Sequence, residues 1–451
     1  MNSVQWYSVA LGALVALPTL FLLTVMLPLH LYNHVNIPIR RYLIYAMVPR
    51  WLGGPNRLSR FQAVAIVCGM AANWLCIMIT ADGASDIRSR TGQLATIHMI
   101  LLCLGSRMNL LTSYTYLSPH GQQIAHSWLG WITISNGVVH SIIVLGIERR
   151  LQLDVVGISG LVAGVAMLTM TLLSPLLSYA RTYETTVNGH IALGACLLGS
   201  LWYHLYAVPF REGLLYLNIA IGLLVIGYIS RFGHIWHRSC GTSPNARLLS
   251  VRPLVDAIQI SIVVPRPWHF RAGQHIYLPV FGMVEGPFGT ERDLGSYGTV
   301  LMFASGVGKA AQIPYIRRLL EGRSMSKART QSIVIYWKLD SEGEAQRSPH
   351  MPGAGNYNDP LTRPASEEHF GEHDRVNRVF GDLDIKYTLS AELDRRRGNT
   401  VVAVCAGPPM IDEVRSTVRG ALRQDIWLVE LGLWPGPSSD ILPPLGPRDR
   451  P

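Results

Sequence analysis

Four histidines lie in two long apolar stretches at matched spacing, His126 with His140 and His190 with His204. The members of each pair are fourteen positions apart. On an α-helix fourteen residues turn through about 1400°, some 40° short of four turns, and rise roughly 21 Å. Each helix then carries two imidazoles on nearly one face, towards opposite leaflets of a bilayer core about 30 Å thick. If the helices are parallel neighbours, His126 faces His190 and His140 faces His204. Two stacked pairs of nitrogen ligands result, a frame for two haems along the membrane normal. The alternative is four packed core histidines. A single histidine on an apolar helix usually is one, but two pairs with identical spacing are hard to assign to packing.

The elements that must position these rings are membrane spans. The chain has 451 residues, 49% of them hydrophobic and only 15% charged, outside the usual range of a soluble protein. Seven apolar segments precede residue 235, at about 6–28, 61–80, 94–117, 126–147, 155–178, 187–209 and 213–232. Each is near the roughly 20 residues a spanning helix needs. The first lacks the basic flank of a signal peptide and reads as a true span. The next connection carries Arg40, Arg41, Arg50, Arg57 and Arg60 with no acid, so it belongs on the cytoplasmic side. The following one mixes Asp82 and Asp86 with Arg88 and Arg90 and can lie outside. The fourth and sixth spans then both run outward, as the pairing requires, and everything after Ile235 is cytoplasmic. The net charge of +10 is explained by the membrane surface and does not call for nucleic acid. Six scattered cysteines form neither a disulfide framework nor a zinc motif. Arg107, deep in the third span, is placed either to pair with a haem propionate or to snorkel to the interface.

Beyond Arg247 the pattern becomes β and α/β. Residues 257–264 read as a strand, and 268–278 as a turn and a strand. The apolar run 298–304 leads into Ser305-Gly306-Val307-Gly308, where a helix should begin. A strand, a glycine turn and a helix N-terminus form a phosphate-binding arrangement, although such turns also serve simply as connections. Residues 331–337, 400–404 and 426–431 read as further strands, with helices near 386–397 and from about Ile411. Residues 341–375 are rich in Gly, Pro, Ser and charge and read as a mobile, disordered insert. The proline-rich tail, 436–451, reads as disordered.

Taken in order, these pieces resemble the ferric reductase and NADPH oxidase superfamily, most closely the fungal plasma-membrane metalloreductases. The resemblance rests on His126-Ser127-Trp128-Leu129-Gly130 with His140, on His190 with Trp202-Tyr203-His204, and on Arg107 with Asn109. It continues through Trp268 to Leu278, Glu285 to Gly289, Gly306 to Pro314, Gly407 to Met410, and the Glu430-Leu431 and Trp434-Pro435 ending. It implies a multi-span helical haem domain followed by a ferredoxin-reductase-like part, in which a flavin β-barrel precedes an α/β nucleotide-binding domain. The corresponding divisions are 1–60, a first span with its basic loop; 61–235, the haem domain; 247–290, the flavin module; and 296–435, the NAD(P) domain. His126, His140, His190 and His204 would be axial ligands of two b haems, and Arg107 a propionate partner. Trp268, Gly273, Gln274, Gly286, Pro287 and Gly289 would hold FAD. Gly306, Gly308, Pro314, Gly407 and Pro408 would shape the NADPH site. The implied activity moves electrons from cytosolic NADPH through FAD and haem to extracellular ferric or cupric chelates, supporting metal uptake at the plasma membrane.

One departure is large. The family's His-Pro-Phe-Ser/Thr-like stretch, which holds the flavin, is missing between Leu278 and Glu285. Residues 247–289 are too few for a barrel of about 100 residues, so the flavin module is truncated. The alternatives are therefore a superoxide-producing oxidase, or a haem-binding membrane protein whose reductase activity is impaired. A smaller departure is Ala406, which separates Cys405 from Gly407-Pro408, so Cys405 is given no catalytic role.

Overall fold

The computed structural model describes residues 37–49, 58–79, 81–104, 119–148, 154–174, 176, 182–208, 211–239, 247–253, 258–264, 266, 269–278, 284–288, 291–325, 328–338, 367–370, 376–379, 383–423 and 425–431. The first expected span and the proline-rich tail lie outside them. The chain divides into two compact units, one built on Met47–His237 and the other on Asn33–Ala46 with Arg238–Trp434.

The first unit is helical. Its long helices are α1 (Arg60–Met78), α2 (Ala84–Cys103), α3 (Pro119–Glu148), α4 (Val155–Leu173), α5 (Tyr183–Ala207) and α6 (Arg211–Ser239). Four stretches are long and apolar enough to cross a membrane, namely Arg60–Met78, Gln122–Ile147, Val155–Leu173 and Arg211–His237. At 19 residues α1 spans about 29 Å, the thickness of a bilayer core. Helix starts follow local chemistry. The Ser59 hydroxyl accepts from the Gln62 N–H while the Gln62 side chain accepts from the Ser59 N–H, a reciprocal cap for α1. The Asp154 carboxylate accepts from the Gly157 N–H and opens α4.

The third expected span, 94–117, overlaps α2, which begins ten residues earlier, after Gly83, and runs to Cys103; residues 105–117 of the expected span lie outside the described residues. The first turns of α2 hold Asp86, Arg88 and Arg90, expected in a loop. The reason is visible at the end of α1, whose last carbonyls lack intrahelical donors. The Arg90 guanidinium donates to the carbonyls of Cys76, Ile77 and Ile79 there. Helix α2 packs on α3, and α4 on α5. Between α1 and α3, Asn73 and Asn136 are buried and exchange two amide hydrogen bonds of 3.0 Å.

The second unit centres on a four-stranded parallel sheet in the order β10-β9-β5-β6, where β5 is Thr299–Ser305, β6 Ser332–Lys338, β9 Thr400–Cys405 and β10 Ile426–Glu430. Side chains alternate across it, as the two-residue repeat of a strand requires. On one face Leu301, Phe303, Val402, Val404 and Leu428 meet α8 (Ile385–Asp394) and α9 (Pro408–Gly420). On the other Val300, Met302, Val401 and Ala403 meet Tyr315 and Leu319 of α7 (Lys309–Ser324). Cys405 packs in this second face. Helices on both faces bury the central strands β5 and β9, which is why these two read as unbroken apolar runs.

Four short strands precede the sheet. They are β1 (Arg247–Pro253) with β2 (Ile258–Val263), and β3 (His275–Tyr277) with β4 (Glu285–Phe288), each pair antiparallel. Among the described residues these ladders do not join into a barrel. Within the insert expected over 341–375, β7 (Glu367–Phe370) is formed and pairs with β8 (Val376–Val379).

The basic loop after the first expected span is also more than a surface charge. Its residues Arg40–Ile44 form a π-helical turn that packs within the sheet unit. Arg40 is 6% exposed, donates to the Ile426 carbonyl at 3.0 Å and stacks 5.1 Å from the Trp427 ring centre. Arg41 donates to the carbonyls of Gly420 and Leu422, at the C-terminal end of α9, where a cation is favoured.

Candidate functional site

The four histidines come together in two pairs. His126 and His140 lie on α3, and His190 and His204 on α5. The rings of His126 and His190 have their centres 6.2 Å apart with an interplanar angle of 63°. His140 and His204 are close enough to interact electrostatically. First-to-first pairing means that α3 and α5 run in the same direction, with α4 returning between them.

The spacing of the first pair suits a shared metal. An imidazole nitrogen binds a metal at about 2.0 Å and its ring centre lies roughly 1.1 Å further out, so two axial rings have centres about 6 Å apart. The second pair shows how its rings are oriented. The His140 Nδ1–H donates to the Arg88 carbonyl at 2.9 Å, and the His204 Nδ1–H donates to the Val156 carbonyl at 2.9 Å. With the proton held on Nδ1, the Nε2 lone pair is the free ligand. His126 Nδ1 is buried and has no hydrogen-bond partner among the described residues. These paired imidazole nitrogens on helices are residues that would hold a b-type haem, which would supply one-electron transfer. Arg107, the expected propionate partner, lies outside the described residues.

In the sheet unit the expected nucleotide residues converge at one point. From β5 the chain passes through α7 to β6 on one side, and later returns to β9 on the other. The gap between the C-terminal ends of β5 and β9 is therefore the switch point at which open α/β sheets bind ligands. Gly306 and Gly308 follow β5, and Gly407 and Pro408 follow β9. Gly306 has φ +49°. A Cβ on Gly308 would lie 1.9 Å from the Cys405 carbonyl oxygen, so only glycine lets the two loops approach. The Gly407 N–H donates to the Ser305 hydroxyl at 2.8 Å, and Pro408 takes the first position of α9. Pro314 lies inside α7, which already begins at Lys309.

Several residues here carried no signal in the sequence. The Trp337 indole N–H donates to the Gly306 carbonyl at 3.1 Å and bridges β6 to the glycine turn. The Lys309 ammonium lies 3.5 Å from the centre of that indole, which keeps a cation at the mouth of the turn. Gln312 is buried and donates to the Phe303 carbonyl at 2.7 Å. Only the spatial neighbourhood of the glycine turn reveals them.

Of the expected flavin residues, Trp268 and Gly289 lie outside the described residues. Gly273 has φ +79° in a tight turn, and the Gln274 side chain is spent on that turn, accepting from the Arg271 N–H at 2.9 Å. Gly286 has φ +126° where β4 crosses β3, and a Cβ there would lie 3.1 Å from the His275 carbonyl oxygen. Pro287 is part of β4. Gly273 and Gln274 thus lead into β3, and Gly286 and Pro287 belong to the strand β4 that pairs with it. The chain matches no protein-family profile, and no curated protein is significantly similar to it.

Proposed function

We propose that this chain is a transmembrane oxidoreductase of the ferric reductase kind, carrying electrons from a cytosolic nicotinamide nucleotide across the bilayer to ferric or cupric chelates outside. The observation that carries the reading is the histidine array: His126 stands against His190 at 6.2 Å, and the outer rings are held through Nδ1 with Nε2 left to ligate. Haem with two histidine ligands supplies one-electron transfer without an open coordination position. The chain's own part is to fix the rings on α3, which is long and apolar enough to span a bilayer, and on the 25-residue α5. The converging glycine turns support a nucleotide site in the sheet unit. The docking of Arg40 and Arg41 within that unit supports an orientation in which the first loop and the sheet share the cytosolic side, since one segment cannot pack across a bilayer.

A second reading is favoured by the shortness of the segment before the sheet, whose described strands form two two-stranded ladders. On it the protein binds haem but takes electrons from NADPH poorly, because the FAD that the resemblance implies is not retained. Purified protein separates the two. The reductase reading expects two haems per chain, stoichiometric FAD, and NADPH-dependent reduction of both haems and of an added ferric chelate. Haem reduced by dithionite but not by NADPH, with no FAD, would establish the second reading. Absence of haem would sink both.

A further inference from the structure

We infer that Gly92 and Gly160 are positioning residues for the outer histidine pair, each forming with the carbonyl one turn earlier a seat that holds one ring. The inference rests on the haem-ligand reading and goes beyond it to the residues that aim the ligands.

The two seats are built alike on different helices. On α2, the Arg88 carbonyl accepts from His140 Nδ1–H and Gly92 lies four residues on. On α4, the Val156 carbonyl accepts from His204 Nδ1–H and Gly160 lies four residues on. Residues i and i+4 of a helix stack on one face, so the ring that reaches the carbonyl must lie over residue i+4. That carbonyl already accepts the N–H of residue i+4 within the helix, and its second lone pair takes the imidazole. A Cβ on Gly92 would stand 3.1 Å from His140 Nδ1 and 3.3 Å from its Cε1. A Cβ on Gly160 would stand 3.1 Å from His204 Cε1 and 3.2 Å from its Nδ1. Either methyl group forces the ring back by a few tenths of an ångström, which lengthens the 2.9 Å hydrogen bond and re-aims Nε2. Gly164 of α4 does not do this, nor do Gly130 of α3 or Gly189 and Gly194 of α5, all of which face open space, even though Gly189 is next to His190. The local sequences, Arg88-Ser-Arg-Thr-Gly92 and Val156-Gly-Ile-Ser-Gly160, share only the glycine.

The test uses purified full-length protein with haem bound, followed by redox titration and low-temperature EPR. Gly92→Ala and Gly160→Ala should each shift the midpoint and the low-spin signal of one haem and leave the other unchanged. The double variant should lose that haem, halving the haem content, and His140→Ala should lose the same component. Gly189→Ala should match wild type. The unshifted haem shows in each sample that the bundle has folded. If both alanine variants keep two haems with wild-type midpoints and signals, or if each loses both haems together, the inference is overturned while the haem reading stands. A wild-type protein without haem overturns the haem reading itself, and is seen before any substitution.

Discussion

The helical bundle and the segment that follows it, residues 247–290, are both expected from sequence to hold a redox group, and their described residues support the candidate site in different ways. In the bundle every ligand candidate sits on a helix of 25 or 30 residues, and the rings of His140 and His204 are held by carbonyls from neighbouring helices. In the segment the ladders are two-stranded, Gln274 is engaged by its own turn, and Gly286 packs against β3. A two-stranded ladder is marginal by itself and needs further strands or a covering helix to fix a site. A helix sets by its own period which residues share a face and leaves only the aiming of the rings to its neighbours, whereas a β site depends on which strands are present. The switch point between β5 and β9 sides with the bundle, because neighbouring strands and helices hold its turns on both sides.

The largest test of this contrast is removal of an inner ligand. His126→Ala or His190→Ala should abolish one of the two haems and take ferric-chelate reduction to background, read by reduced-minus-oxidised spectra and whole-cell assay. An unchanged spectrum breaks the comparison at the bundle. Next is Gly308→Ala, whose new methyl group must push the β5 and β9 loops apart. NADPH binding measured by calorimetry should weaken roughly tenfold, about 1.4 kcal/mol. Undiminished affinity would show that the switch point is not the nucleotide site. A smaller effect should follow Asn73→Leu, which leaves the buried Asn136 amide without its partner. About 1 kcal/mol of bundle stability is at stake, to be regained in part by adding Asn136→Leu. A double variant no better than the single would remove the pair as a brace between α1 and α3.

The smallest effect belongs to the hairpin. Burial lowers the pKa of His275 below its ordinary 6.5. The unfolded hairpin then takes up a proton that the folded one refuses, so stability present above that pH is lost as pH falls through it. Amide protection factors in β3 and β4, taken relative to the intrinsic exchange rate at each pH, should fall between about pH 7.5 and pH 5.5, and His275→Gln should flatten the change. Protection independent of pH would mean that the hairpin's stability is not linked to His275.

Much was legible in the sequence where a period governs. The spacing of His126, His140, His190 and His204 anticipates which rings meet, because helix geometry converts position into direction. The unbroken apolar runs of β5 and β9 mark strands covered on both faces. Glycine turns after them lie where the sequence places them. Less legible was the start of α2, where Arg88 and Arg90 look like loop residues until the carbonyls at the end of α1 are seen to need a donor. The burial of Arg40 against Trp427 joins residues almost 390 positions apart, and nothing local announces it.

The sequence by itself determined the pairing of the histidines and the strands of the sheet, since both follow from repeats of 3.6 and 2 residues. Only the tertiary structure decided how the outer rings are held. Their partners are main-chain carbonyls of Arg88 and Val156, 52 and 48 residues from the histidines they hold. Every residue carries a carbonyl, so side-chain identity cannot say which one faces an imidazole. The packing of α2 on α3 and of α4 on α5 makes that choice, and glycine at positions 92 and 160 leaves the room for it.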